Sequence, residues 1–300
     1  MEEDLRKSIF WVFFLFFLTS CFKSPPPEFD GESAFEYLEK QCDFGPRYPG
    51  SEAHQRLKKY LIDILKTHTD MVKEQRFSFY DSLLKKELNS TNIIASFYPE
   101  KKERILLCAH WDTRPFADEE TQPELREKPV LGANDGASGV AVLLELASIL
   151  SQRQPKWGVD IVLFDAEDYG SEERGVEFCV GSDYFAKNMG KHKPKFGILL
   201  DMIGDKNLEI YREGHSEKYA KEIVDLVWDT AEKLNLNCFR NSVKYHMIDD
   251  HISLLKAGIK CIDIIDFDYP YWHTTHDTPD KCSGESLEKV GRVLIKILYD

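Results

Sequence analysis

The chain alternates short, dense apolar runs with longer stretches whose apolar positions recur at helical spacing. Residues 92–97, 104–109, 159–164, 196–200 and 260–265 are brief and aliphatic-rich, the length and content of buried strands. Residues 51–67 place Leu57, Leu61, Ile64 and Leu65 on one stripe, with Ser51 as the expected N-cap. Residues 137–151 are apolar on nearly all sides and predict a buried helix, whereas 216–234 and 284–299 are amphipathic. Strands alternating with helices predict an α/β fold, an open, mostly parallel sheet with helices on both faces. Ligands in such folds bind beyond the carboxyl ends of the strands. No internal repeat and no second linker rich in Pro, Gly or Ser interrupts residues 32–300, so one domain is expected there.

The N-terminus has a different pattern. Residues 9–18 are continuously apolar, yet a membrane-spanning helix needs about 20 such residues. The length suits the apolar region of an export signal. Leu18-Thr19-Ser20-Cys21 resembles a bacterial lipobox, in which the cysteine is lipidated and becomes the first mature residue. Against that pattern, Glu2, Glu3 and Asp4 outnumber Arg6 and Lys7. An ordinary signal peptide or a short hydrophobic anchor are the alternatives. The expected layout is a signal peptide over 1–20, a Pro-stiffened tether over 21–31, and a catalytic domain over 32–300. The protein is then exported, held to a bacterial membrane through lipidated Cys21, facing the periplasm or the exterior.

Composition narrows the chemistry. The 42% hydrophobic and 30% charged residues are those of a globular protein. The 39 Lys and Arg against 52 Asp and Glu give a net charge of −13, which argues against nucleic acid as a partner. Seven cysteines in 300 residues, none in CxxC spacing, exclude a disulfide scaffold and a zinc ribbon. Metal chemistry here must use carboxylates and imidazoles.

Such residues stand where the predicted strands end. Strand 104–109 runs into His110-Trp111-Asp112, strand 159–164 into Asp165-Ala166-Glu167-Asp168, and strand 196–200 into Asp201. Asp135 lies in Gly132-Ala133-Asn134-Asp135-Gly136 just before the apolar helix, and His273 follows Trp272 after strand 260–265. One carboxylate at a strand end is usually a helix cap. Several converging at once repel unless a cation neutralises them. A mixed carboxylate–imidazole set suits zinc, with one position left open for catalysis.

These segments, with Gly132–Gly139, Leu200–Gly204 and His273-Thr274-Thr275-His276-Asp277-Thr278, resemble zinc aminopeptidase family M28. Asp249-Asp250-His251-Ile252, Trp272 before His273, and the insertion from His110 to Asp118 are more similar to its glutaminyl cyclase branch in bacteria. The resemblance spans roughly residues 35–300 and implies the three-layer sandwich of the zinc exopeptidases. It implies Asp135, Asp168 and His273 as ligands of one zinc ion and Glu167 as the proton shuttle. Asp201 and Asp249 take hydrogen-bonding roles around Glu167, and Trp272 forms an apolar wall against the substrate, unless it is plain core packing. The implied substrates are peptides or proteins with N-terminal glutamine, closed to pyroglutamate with loss of ammonia. A monomer is expected.

The rival it leaves open is a dinuclear aminopeptidase, in which His110 and Asp201 hold a second zinc and Asp135 bridges. An inactive binding module would require a broken ligand set, and none is broken. The chain departs from the animal cyclases in having Asp168 for Glu, Asp263 for His, and Val140 where they carry a disulfide partner for the cysteine at the position of Cys108. Buried free thiols are expected instead. His251 is read as packing at a helix start. His276 has ligand spacing but no ligand role, and His54, His68, His192, His215 and His246 are read as surface or loop residues. Asp118-Glu119-Glu120 is read as a solvated loop within the long connection 113–131, which is placed at the entrance to the site.

Overall fold

In the computed structural model, which describes residues 25–190 and 193–300, the predicted alternation folds into a mixed six-stranded sheet between helices. The signal peptide, lipobox and Cys21 lie outside the described residues, as does His192. Among the described residues no helix is long and apolar enough to cross a membrane.

The helices are α1 (Gly31–Cys42), α2 (Glu52–His68), α3 (Ala137–Gln152), α4 (Val180–Asn188), α5 (Gly214–Tyr219), α6 (Lys221–Lys233), α7 (Asp250–Lys256) and α8 (Gly284–Tyr299). The strands are β1 (Val72–Asp81), β2 (Lys86–Phe97), β3 (Arg104–His110), β4 (Gly158–Phe164), β5 (Gly197–Asp201), β6 (Ile210–Arg212), β7 (Phe239–Val243) and β8 (Cys261–Ile265). The main sheet runs β1-β2-β4-β3-β5-β8. Strands β4, β3, β5 and β8 are parallel, and the β1–β2 hairpin joins antiparallel at one edge. Strands β6 and β7 pair in a small separate sheet.

Period-2 side-chain alternation sorts each central strand between two cores. From β3, Ile105, Leu107 and Ala109 face a large core with α1, α2, α3 and α8, while Leu106 and Cys108 join Phe185 of α4 and Leu254 of α7. Both faces are covered, so these strands read as continuous apolar runs rather than alternating ones. Ser51 caps α2 as expected, its hydroxyl accepting from the His54 N–H at 3.1 Å.

The amphipathic stretch 216–234 is two helices, not one. Buried Ala220 leaves the helical region at φ −141°, ψ 35°, and the chain restarts as α6. The two pieces serve different neighbours. The Ser216 hydroxyl of α5 accepts from the Asp263 N–H on β8 at 3.0 Å, whereas α6 packs against α8. The six described cysteines are free thiols, five of them buried, as anticipated.

Candidate active site

The carboxyl ends of β4 and β5, the starts of α3 and α7 and the loop after β8 open onto one cleft of about 960 Å³. Asp135, Glu167, Asp168, Asp201, Asp249, Trp272 and His273 all line it. Of the strand-end residues singled out for chemistry, His110, Asp112 and Asp165 do not reach this cleft wall. His110 sits just behind it at 1% exposure.

Tight local backbone aims these groups. Ala166, Met202 and His273 have φ of +58°, +45° and +53°, left-handed values for residues that bear a Cβ. Such conformations cost on the order of 1–3 kcal/mol each and persist where the surroundings enforce them. Asp112 enforces the first turn, its two carboxylate oxygens accepting from the Glu167 N–H at 3.0 Å and the Asp168 N–H at 3.2 Å. Asp277 does the same for the α3 entrance, accepting from Asn134 at 2.8 Å and Asp135 at 3.1 Å. Gly136, at φ +97°, could not carry a side chain there, because a Cβ would lie 2.5 Å from the Asp112 carbonyl oxygen.

Two donor triads share Asp135. In one, Asp135, Asp168 and His273 bring donor atoms within 4.8 Å of one another, and His110, Asp135 and Asp201 form the other. His273 Nε2 lies 3.1 Å from Asp168 and 3.8 Å from Asp135. His110 Nε2 lies 3.1 Å from Asp135 and 3.2 Å from Asp201. The donors suit zinc, and Asp168 Oδ2 is a buried oxygen with no hydrogen-bond partner, as a metal ligand held in reserve should be. Burial works against a charged His273, yet Asp168, Asp118 and Asp135 together push its pKa up to about 10.

Glu167 lies between this cluster and α7. Burial pushes its carboxyl well above the ordinary range, and Asp249, Asp168 and Asp250 push the same way while His110 opposes them. Asp249 is itself raised to about 6 by burial and by Asp201. Asp201 contacts His110, 3.2 Å from its Nε2, and neither Asp201 nor Asp249 hydrogen-bonds Glu167. Asp249 caps α7, accepting from the Asp250 N–H. The Glu167 carboxylate accepts a hydrogen bond from the Cys179 thiol at 3.2 Å, a contact sequence spacing gave no sign of. Trp272 stacks on His273 with centroids 3.9 Å apart and meets Phe267 edge-on at 5.0 Å; it lines the cleft and also packs against the Met202, Ile265 and Tyr269 cluster.

Two readings need correction. The segment Asp118-Glu119-Glu120 is only partly a solvated loop: Asp118 and Glu119 are exposed, but Asp118 lies 3.1 Å from His273 Nδ1 and accepts from Arg114, and buried Glu120 accepts from the Thr275 N–H at 2.9 Å. The connection 113–131 therefore folds over the His273 loop. His54 is not at the surface but 2% exposed, its ring stacked on Trp111 and its Nε2 2.8 Å from Asp165. His251, at a helix start as expected, is wholly buried between Glu213 and Asp263.

Residues 92–298 match the model of peptidase family M28. Among solved structures, a glutaminyl cyclase from Bacteroides thetaiotaomicron bound to N-acetylhistamine is 39% identical, covering 92% of this chain and 99% of that one, with a TM-score of 0.87. A leucine aminopeptidase precursor from the same organism is also 39% identical, over 92% and 99%, with a TM-score of 0.88. The glutaminyl-peptide cyclotransferase of Gloydius blomhoffii is 24% identical over 83% of this chain and 75% of its own length.

Proposed function

The chain belongs to peptidase family M28, and from that membership and its site we propose that it is a zinc-dependent glutaminyl cyclase. It converts an N-terminal glutamine of a peptide or protein to pyroglutamate and releases ammonia. The observation that carries this reading is that the chain matches both a solved glutaminyl cyclase and a glutaminyl-peptide cyclotransferase over most of its length, since the 39% identity to the former is shared with the aminopeptidase precursor.

Asp135, Asp168 and His273 would hold one zinc ion, which when bound polarises the γ-amide carbonyl as a Lewis acid. Asp118 holds the Nδ1 proton of His273 and so presents Nε2 to the metal side. The methylenes of the glutamine side chain lie against Trp272. Glu167 takes a proton from the α-amine as its nitrogen attacks the carbonyl carbon of the γ-amide. It then delivers that proton to the amide nitrogen, which leaves as ammonia when the C–N bond breaks. A base suited to this must titrate near neutrality, and burial with Asp249 beside it moves Glu167 in that direction.

A dizinc aminopeptidase is the second reading. The observation favouring it is the complete second triad His110, Asp135 and Asp201. Bound zinc per chain separates the two, near one for a cyclase and near two for the peptidase. Mass spectrometry of a glutamine-initiated peptide incubated with the zinc-loaded protein is the direct test. Loss of one ammonia, abolished in Glu167→Gln, is expected. Release of the whole first residue would overturn the assignment.

A further inference from the structure

Cys179 occupies a place that cyclisation leaves without a purpose. It precedes α4 in left-handed backbone, φ +59°, and its N–H donates to the Glu167 carbonyl at 2.9 Å. That turn folds the side chain back onto the same residue, with Sγ 3.2 Å from Glu167 Oε1. Asp249 approaches from α7. One of its oxygens accepts from the Asp250 N–H, while Oδ2, in a residue only 5% exposed, has no hydrogen-bond partner. One donor atom from each of Glu167, Cys179 and Asp249 lies within 4.8 Å of the others, and all three residues line the cleft.

We propose that Glu167, Cys179 and Asp249 form an inhibitory cation site, which takes a thiophilic divalent ion, excess zinc or cadmium, and so withdraws Glu167 from proton transfer. The inhibitory consequence rests on the shuttle role of Glu167 given above; the binding does not. A thiolate with two carboxylates selects for zinc-like ions over magnesium or calcium. Tetrahedral zinc, with Zn–S about 2.3 Å and Zn–O about 2.0 Å, sets ligand sulfur and oxygen about 3.5 Å apart. The observed 3.2 Å between Sγ and Oε1 is close to that separation. As the metal–sulfur bond forms, the thiol proton leaves to solvent. None of the three donors belongs to either triad around Asp135, so the site fills without competing for the catalytic ligands.

The test is a cadmium titration of the zinc-loaded full chain, following the ultraviolet cadmium–thiolate absorption, retained zinc and cyclisation rate together. One further equivalent of cadmium is expected, with absorption and inhibition saturating at the same concentration. Cys179→Ser keeps a hydroxyl donor for Glu167 but should lose the absorption and need on the order of tenfold more metal for equal inhibition. Asp249→Asn should weaken both readouts, and it decides the matter if the cysteine variant misfolds. Unchanged absorption and inhibition in these variants would overturn the site and place the added ion elsewhere, as at His110 and Asp201. If the protein does not cyclise glutamine peptides, the absorption still reports the site, so failure of the two readings is distinguishable.

Discussion

Asp118 shows how much of a metal centre lies outside its ligands. Its carboxylate lies 3.1 Å from Nδ1 of His273 and is clamped by two Arg114 nitrogens, at 3.0 and 2.6 Å. Arg114 also donates to the carbonyls of Asp168 and Gly170, so one guanidinium fixes the surroundings of two ligands. Burial raises the Asp118 carboxyl, but His273 and Arg114 outweigh it and hold the group well below its usual range. Asp118→Ala is expected to weaken zinc binding about 10–100-fold, the usual effect of losing a partner behind a ligating histidine. Competition against a chelator of known affinity measures this, and unchanged affinity would return Asp118 to the solvated loop it resembles in sequence. The ligands themselves were legible because each stands beside an apolar element, Asp168 shortly after β4, Asp135 just before α3 and His273 in the loop after β8. Asp118, Cys179 and His54 were not, because each acts on a residue at least 12 positions away, through contacts that no local pattern records.

The elements readable from the sequence are those whose burial is uniform. Helix α3 and the central strands are apolar because both sides of the sheet are covered. The strand β1 was missed because its pattern mixes Lys73, Glu74 and Arg76 with Phe77 and Phe79, as befits an edge strand that faces water. The break at Ala220 was missed because the amphipathic period continues across it, and only the separate packing of α5 and α6 divides them. Close helix–sheet approach is the element-scale constraint that matters most for the site. Gly139, in the first turn of α3, faces the Leu200 carbonyl, and an added Cβ would collide with that oxygen and sit 2.9 Å from the Ala109 Cβ. Ala is favoured over Gly in a helix by about 1 kcal/mol, but overpacking against backbone costs about 1–3 kcal/mol or more. Gly139→Ala is therefore expected to lower stability by about 2 kcal/mol, with the strain falling between β5 and the helix that begins beside Asp135. Urea unfolding checks it, and an unchanged or higher midpoint would show that α3 can move away from the sheet.

At the scale of the molecule, the fold brings more acid into its interior than histidine and arginine neutralise, and four of those buried acids and the buried His273, with Glu167 and Asp201, meet at or beside one cleft. Asp277 is pushed up to about 7 by burial and Asp135, Asp266 to about 7 by burial, and Asp249 to about 6. His273, raised to about 10, adds a group that prefers its proton in the metal-free fold. For each, the folded state binds a proton more tightly than the unfolded chain, so the stability it contributes is present at low pH and lost as pH rises through the folded value. Glu213, lowered to about 2 mainly by His251 against the opposing effect of burial, works in the other direction, but only in strong acid. Between pH 6 and 9 the metal-free protein should thus lose stability as pH rises. Zinc binding runs the opposite way, because His273 must give up its proton to ligate and the carboxylates must be ionised. The gap in melting temperature between zinc-loaded and metal-free protein should therefore widen steadily from pH 6 to pH 8. Melting curves of both forms across that range test it. A constant or narrowing gap would mean that the cleft carboxylates are neutralised by something other than protons and the metal.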